Sequence, residues 1–98
     1  MNKGLNLLGL AQRAGKLVSG EETVIKNIRQ GQAQLVIVCV DASDNTKKKL
    51  KDKCTFYHVP YVEAFTNMEL SHAIGKKRTV CGLTEAGFKQ SLLKILQG

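Results

Sequence analysis

The sequence predicts an α/β fold: a three-layer α/β/α sandwich whose small mixed sheet of four strands has helices on both faces. Amphipathic helical segments alternate with short apolar segments along the chain. Residues 35–40 form a continuous apolar run, rich in β-branched side chains, which is typical of a strand buried on both faces. The 98 residues leave room for one core, so we expect residues 1–98 to form a single domain.

The first helix and strand are predicted from spacing. Leu5, Leu8 and Ala11 repeat at helical intervals, and the helix is expected to end near Gly15. Residues 16–19 are a brief extended segment that leads into the next helix.

The central helix carries its own start and stop signals. Ser19 and Glu22 have the S-x-x-E spacing of a capping box, in which each side chain satisfies an amide at the helix start. Gly31 supplies the left-handed residue that ends a helix. The predicted inward residues between them are Val24, Ile25 and Ile28.

The segment after the buried strand begins with a polar turn, residues 41–46, in which Ser43 and Asp44 are predicted caps. A helix is predicted from Thr46 to about Tyr57, with five lysines facing outward: Lys47, Lys48, Lys49, Lys51 and Lys53. Cations in a first helical turn oppose the helix dipole, so Lys47 and Lys48 suggest a phosphate partner. Residues 59–62 are the third predicted strand.

The last third of the chain repeats the same order of elements. Thr66 and Glu69 form a second predicted capping box, and Gly75 ends that helix. Residues 79–83 form the fourth strand, and Thr84 is the predicted cap of a final helix. The apolar face of that helix comprises Phe88, Leu92, Ile95 and Leu96.

The charge indicates the class of partner. A net charge of +7 and a pI of about 9.5 favour a polyanion, and nucleic acid is the polyanion that suits a small basic domain. No apolar run is long enough to span a bilayer, and no signal peptide is recognisable, so we expect a cytoplasmic protein without a membrane partner. A single domain of this size with no spare apolar stripe is expected to be a monomer.

Catalytic and metal-binding motifs are missing from the sequence. The three cysteines (Cys39, Cys54 and Cys81) and the two histidines lack metal-ligand spacing, and the cysteines lie in apolar stretches. Neither a phosphate-binding glycine loop nor a nucleophile with an adjacent base is present. The sequence therefore predicts neither an enzyme nor a cofactor or metal site.

Three loops are expected to converge at one edge of the sheet, where helix N-termini offer amides to phosphate. They are residues 19–23, 41–47 and 75–78. With these loops, a basic, hydrogen-bonding surface is predicted from Lys26, Lys47, Lys76, Lys77 and Arg78. Arg78 is the strongest candidate for a specific contact, because a guanidinium binds guanine or phosphate in bidentate fashion.

An ordered series of short motifs covers nearly the whole chain: Gly20-x-x-Thr23-Val24-x-Lys26-x-Ile28-Arg29-x-Gly31, then residues 35–38, Asp41-Ala42, Val59-Pro60, Glu69-Leu70 and Ala73-x-Gly75. This series resembles the L-seven-Ae/L-thirty-e ribosomal protein superfamily. The segment Gly9-Leu10-Ala11-x-Arg13-Ala14-Gly15-Lys16-Leu17-x-Ser19-Gly20 is similar to its small bacterial YlxQ-type branch.

The resemblance implies binding of kink-turn RNA, a sharply bent duplex with tandem sheared G·A pairs. It implies that the start of the central helix enters the widened major groove at those pairs. The family's lysine falls on Lys26, its glycine on Gly20, and the loop that covers a flipped-out base on residues 75–78.

Two positions depart from the family pattern. Glu22 stands where relatives have Asn or Lys, and Thr23 where they have Glu or Gln. A carboxylate only accepts hydrogen bonds, so Glu22 either accepts from guanine N1–H and N2–H or completes the capping box with Ser19. Thr23 either contacts a base or packs in the first turn. An alternative function is a protein-interaction module that presents residues 47–53 to an acidic or ribosomal partner.

Overall fold

The computed structural model describes residues 2–98 as five helices and four strands. The helices and strands follow the order α1 Lys3–Arg13, β1 Leu17–Ser19, α2 Glu21–Arg29, β2 Leu35–Val38, α3 Asp44–Tyr57, β3 Tyr61–Glu63, α4 Asn67–Ile74, β4 Val80–Leu83 and α5 Ala86–Gln97. The sheet order is β1-β4-β2-β3, with β4 antiparallel to both of its neighbours and β3 parallel to β2. The predicted mixed four-stranded sheet is therefore confirmed.

Strand β2 divides the core into two apolar layers. Leu35 and Ile37 pack with α1, α4 and α5 on one face of the sheet. Val36 and Val38 pack with α2 and α3 on the other. All four side chains are fully buried, and the α/β/α sandwich is confirmed. The strand is shorter than the predicted run of residues 35–40, because it ends at Val38, and Val40 is exposed.

Two of the predicted helix signals are confirmed in full. Thr66 and Glu69 form the reciprocal capping box of α4, and Gly75 ends that helix at φ +74°. Helix α3 begins at Asp44, two residues before the predicted start, because the Ser43 hydroxyl accepts from the Thr46 amide. Lys47 and Lys48 therefore lie beyond the first residues of α3, where the dipole argument for a phosphate partner loses its force.

The predicted cap of the last helix is wrong. The Thr84 amide donates to the Lys16 carbonyl, so Thr84 still extends the pairing of β1 with β4. The carboxylate of Glu85 instead accepts from the Phe88 amide and caps α5.

Strand β3 also lies later than predicted. The Val59 amide donates to the Cys54 carbonyl and so completes the end of α3. Pro60 has no amide hydrogen and contributes only its carbonyl, which accepts from Val36. The ladder therefore begins at Tyr61, which pairs with Val36.

Candidate nucleic-acid interface

The start of α2 differs from the sequence prediction. The Ser19–Glu22 capping box is wrong: Gly20 is the N-cap at φ +94°, and no side chain caps the helix. Ser19 is still paired with Cys81 in the sheet, so the chain enters the helix one residue later than predicted. The first helical bond runs from the Val24 amide to the Gly20 carbonyl at 2.9 Å, which leaves the preceding amides uncapped by side chains.

The Ser19 hydroxyl, which does not cap α2, is bound by Arg78. Its Nε donates to Ser19 Oγ at 3.1 Å, and its Nη1 donates to the Lys77 carbonyl at 3.0 Å. Its backbone is held by Ser71, whose hydroxyl accepts from the Arg78 amide at 2.9 Å and donates to the Arg78 carbonyl at 3.2 Å. The guanidinium is thus fixed beside the start of α2 with part of its donor fork uncommitted.

Three predicted site residues extend from α2 into solvent. Glu22, Thr23 and Lys26 are all exposed. Exposure of Thr23 rules out the packing alternative, and the absence of a cap rules out the capping alternative for Glu22. Both side chains, with that of Lys26, are open to a ligand.

Glu21 joins the starts of α2 and α3. Its carboxylate lies 2.6 Å from Lys49 Nζ, and it accepts from Thr46 Oγ1 at 3.3 Å. The two helices therefore begin side by side, on the same face of the sheet.

Lys47 is tied to the protein itself. Its Nζ donates to the Val40 carbonyl at 2.7 Å and lies 3.7 Å from a carboxylate oxygen of Glu63. These contacts link α3 to β3 and to the segment that follows β2. A phosphate that binds Lys47 has to compete with the Val40 carbonyl and the Glu63 carboxylate.

A shallow cavity of about 300 Å³ collects part of the predicted site. Gly20, Lys77 and Arg78 line it, together with Asn67 and Thr79, which sequence reasoning did not identify. The backbone amide of Asn67 donates to Asp41 Oδ1 at 2.9 Å, a contact between residues far apart in the sequence. No local motif signals it. Lys76 is exposed in the same loop but does not line the cavity.

A larger cavity of about 690 Å³ lies between α1 and α4, in the helix layer on the opposite face of the sheet. Most of its lining is apolar, so it offers few donors to phosphate. The lining residues are Leu5, Asn6, Gly9, Leu10, Arg13, Met68, Glu69, His72 and Ala73.

The thiols are buried and protonated. Burial raises the pKa of Cys39 and of Cys54 to about 11, and it also raises the pKa of Cys81. None of them supplies a thiolate at neutral pH. Across residues 2–98 no group of three or more potential metal ligands is found, and no helix is long and apolar enough to cross a membrane.

Comparison with known proteins gives consistent matches over the full chain. A protein of Enterococcus faecium named RNA-binding protein YlxQ is 48% identical over 96 residues, which cover 98% of this chain and 93% of that protein. The protein of the same name from Bacillus subtilis (strain 168) is 50% identical over 91 residues, covering 92% and 91%. A solved structure from Bacillus halodurans, described as a protein with unknown function, matches with a TM-score of 0.96 at 44% identity and covers all of both chains.

The family comparison agrees with the order of motifs and with the fold. Residues 2–93 match the model of the ribosomal protein L7Ae/L30e/S12e/Gadd45 family. The chain therefore belongs to the ribosomal protein L7Ae/L30e/S12e/Gadd45 family.

Proposed function

We propose that residues 1–98 act as a single, non-catalytic RNA-binding domain that recognises kink-turn RNA, in a ribosomal or regulatory complex. The observation that carries the proposal is the Arg78 guanidinium, held by Ser19 beside the uncapped start of α2. Two relatives that are about half identical to the chain are named RNA-binding proteins, and the net charge of +7 suits a polyanionic ligand.

The bases are read from the first turns of α2. Lys26 donates to guanine O6, and Glu22 accepts from guanine N1–H and N2–H. Because both side chains are exposed and α2 has no side-chain cap, they reach a groove without breaking internal contacts. Thr23 lies between them in the sequence and contributes a small hydroxyl.

The RNA backbone is held by the loop of residues 75–78 and by the backbone amides at the start of α2. Arg78 offers its remaining donors to a phosphate or a guanine edge, and Gly20 lets the RNA approach the helix start closely. Lys76 and Lys77 add positive charge from the same loop. Lys47 contributes charge at the periphery, since its ammonium is already bound to Val40 and Glu63.

The proposed mechanism involves binding alone, with no covalent step. Positive charge captures the RNA, and the differential affinity of the α2 start for the kinked conformer shifts the RNA ensemble toward that conformer. Base contacts supply the specificity, and phosphate contacts supply position.

A calorimetric titration at one fixed, moderate salt concentration tests the proposal. One RNA carries a kink-turn, and the other is the same duplex with its sheared G·A pairs replaced by Watson–Crick pairs. We expect clearly tighter binding to the first. Equal and steeply salt-dependent binding to both would contradict kink-turn recognition while leaving general RNA binding in place.

A further inference from the structure

Helix α3 has an excess of cations on its outer surface. Five of its 14 residues are lysines, against two acids. Within residues 2–98, two of the lysines pair with carboxylates, Lys47 with Glu63 and Lys49 with Glu21. The other three have no carboxylate partner there: Lys48, Lys51 and Lys53.

An exposed aromatic ring lies near the end of the same helix. Phe56 is 75% exposed, and its ring contacts that of Tyr57 edge-to-face, with centroids 4.9 Å apart. Lys49, Lys53 and Phe56 follow the i, i+4, i+7 spacing of a single helix face. Lys49, at one end of this face, bonds to Glu21 at the start of α2.

Helix α2, which neighbours α3, carries two exposed cations. Strands β1 and β2 both run antiparallel to β4, so they are parallel to each other, and the helices that follow them pack together on one face of the sheet. Lys26 and Arg29 are exposed on α2. We define the α2–α3 strip as Arg29 with Lys49, Lys53 and Phe56.

We propose that the α2–α3 strip binds a single-stranded extension of the RNA held at the start of α2, with one unpaired base stacked on Phe56. This inference rests on the proposed function. Arg29 and Lys53, which pair with no carboxylate in residues 2–98, hold the phosphates. An exposed ring accepts any base, because every base has a π face. Paired bases are already stacked within their duplex, so the ring selects an unpaired one.

The size of the strip sets the length of its ligand. Lys49 and Phe56 are seven residues apart, or about 10 Å along a helix axis. Three stacked nucleotides span a similar length, at about 3.4 Å per nucleotide. A tail of about four nucleotides is therefore long enough to test the strip.

The test compares a blunt kink-turn RNA with the same RNA carrying a four-nucleotide pyrimidine tail, placed in turn on each end of the duplex. For the unmodified protein we expect one tail position to tighten binding by about tenfold. Phe56→Ala should abolish most of that gain and leave the affinity for blunt RNA unchanged. The matched control is Met68→Ala, which removes a 79% exposed apolar side chain from α4 on the other face of the sheet.

A charge variant tests the phosphate contacts. Arg29→Gln with Lys53→Gln should lower the salt dependence of binding to tailed RNA, by about 0.7 in the log–log slope per lost contact. The slope for blunt RNA should not change. Lys89→Gln with Lys94→Gln on α5 makes the same change in net charge on the opposite face and should leave both slopes unchanged.

The outcomes separate this inference from the proposed function. If the protein prefers the kink-turn but a tail at either end adds nothing, or if the gain survives Phe56→Ala, the strip is not an RNA site and the inference is overturned. If kink-turn preference is absent but a free pyrimidine oligonucleotide binds in a Phe56-dependent manner, the strip is supported and the proposed function fails. Capture of polyglutamate through Arg29 and Lys53, with no tail effect, would assign the strip to an acidic protein partner and overturn the inference.

Discussion

Arg78 Nε donates to Ser19 Oγ at 3.1 Å, across 59 positions of sequence. The bond joins the loop after α4 to the residue before Gly20, which is the N-cap of α2. Ser19 lies in β1 and Arg78 lies just before β4, which pairs with β1. The sheet therefore brings a cation to a helix start that no side chain caps.

Loss of the Ser19–Arg78 hydrogen bond should weaken RNA binding without lowering the stability of the fold. Ser19→Ala is expected to weaken kink-turn RNA binding by about 0.5–1.5 kcal/mol, the usual contribution of one hydrogen bond. The melting temperature should change little, since the Ser19 hydroxyl does not cap α2. Calorimetry and thermal unfolding measure the two effects. In an Arg78→Ala background the substitution should have no further effect on affinity, and Ser19→Thr should retain it.

Lys26 should contribute to discrimination, not only to affinity. Lys26→Ala is expected to weaken binding to kink-turn RNA by about 1–3 kcal/mol, and binding to the duplex without G·A pairs by much less. Titration of both RNAs with both proteins gives the comparison. An equal loss on the two RNAs would make Lys26 a phosphate contact. Lys94→Ala, on α5, serves as the charge-matched control.

Gly20 is required by its backbone conformation. It lies at φ +94° and ψ +143°, and an added Cβ would lie 3.5 Å from Arg78 Nε. Gly20→Ala should lower the free energy of unfolding by about 1–3 kcal/mol, because non-glycine residues are strained there. Urea unfolding measures the change. Gly31→Asn is the control, since Gly31 at φ +73° has no atom near its Cβ position and Asn tolerates the left-handed region; a similar loss there would argue against strain at Gly20.

Two threonines, each predicted to cap a helix, should contribute differently to the stability of the protein. Thr66→Ala removes the hydroxyl that accepts from the Glu69 amide, and should cost about 0.5–2 kcal/mol of unfolding free energy. Thr84→Ala should cost less, because Glu85 caps α5. Thermal or urea unfolding of the two variants makes the comparison. Equal losses would contradict the assignment of the α5 cap.

Alkaline pH should destabilise the protein through its buried thiols. Burial raises the pKa of Cys39 and Cys54 from 9.0 to about 11. The unfolded chain therefore loses these protons first, so their contribution to stability is complete below pH 9 and is lost as pH rises toward 11. Urea unfolding at neutral and alkaline pH should show the loss, and a Cys54→Ala variant should show a smaller one.

The same thiols provide a direct check on burial. A thiol reagent at neutral pH should react with native protein far more slowly than with protein unfolded in urea. Rapid modification of the native state would contradict the burial of all three cysteines.

Local patterns were informative wherever a residue's partners lie within a few positions. The Thr66–Glu69 box and the glycines that follow α2 and α4 are of this kind. The Ser19–Glu22 spacing is equally local, yet it failed because Ser19 is held in the sheet and its hydroxyl has a distant partner. Thr84 failed for the same reason: it extends a strand ladder that closes far along the chain.

The sequence by itself determined the order of helices and strands, the double-faced burial of β2 and the basic charge, because periodicity, capping and composition act over short distances. The family was indicated by the resemblance of the ordered motifs. Only the tertiary structure decided which side chains share a site. Pairing of β1 with β4 brings Arg78 to Ser19, and Asn67, which contacts Asp41, lines the cavity beside Gly20. The tertiary structure also pairs Lys47 with Glu63. These contacts depend on strand order and long-range packing, which no local spacing encodes.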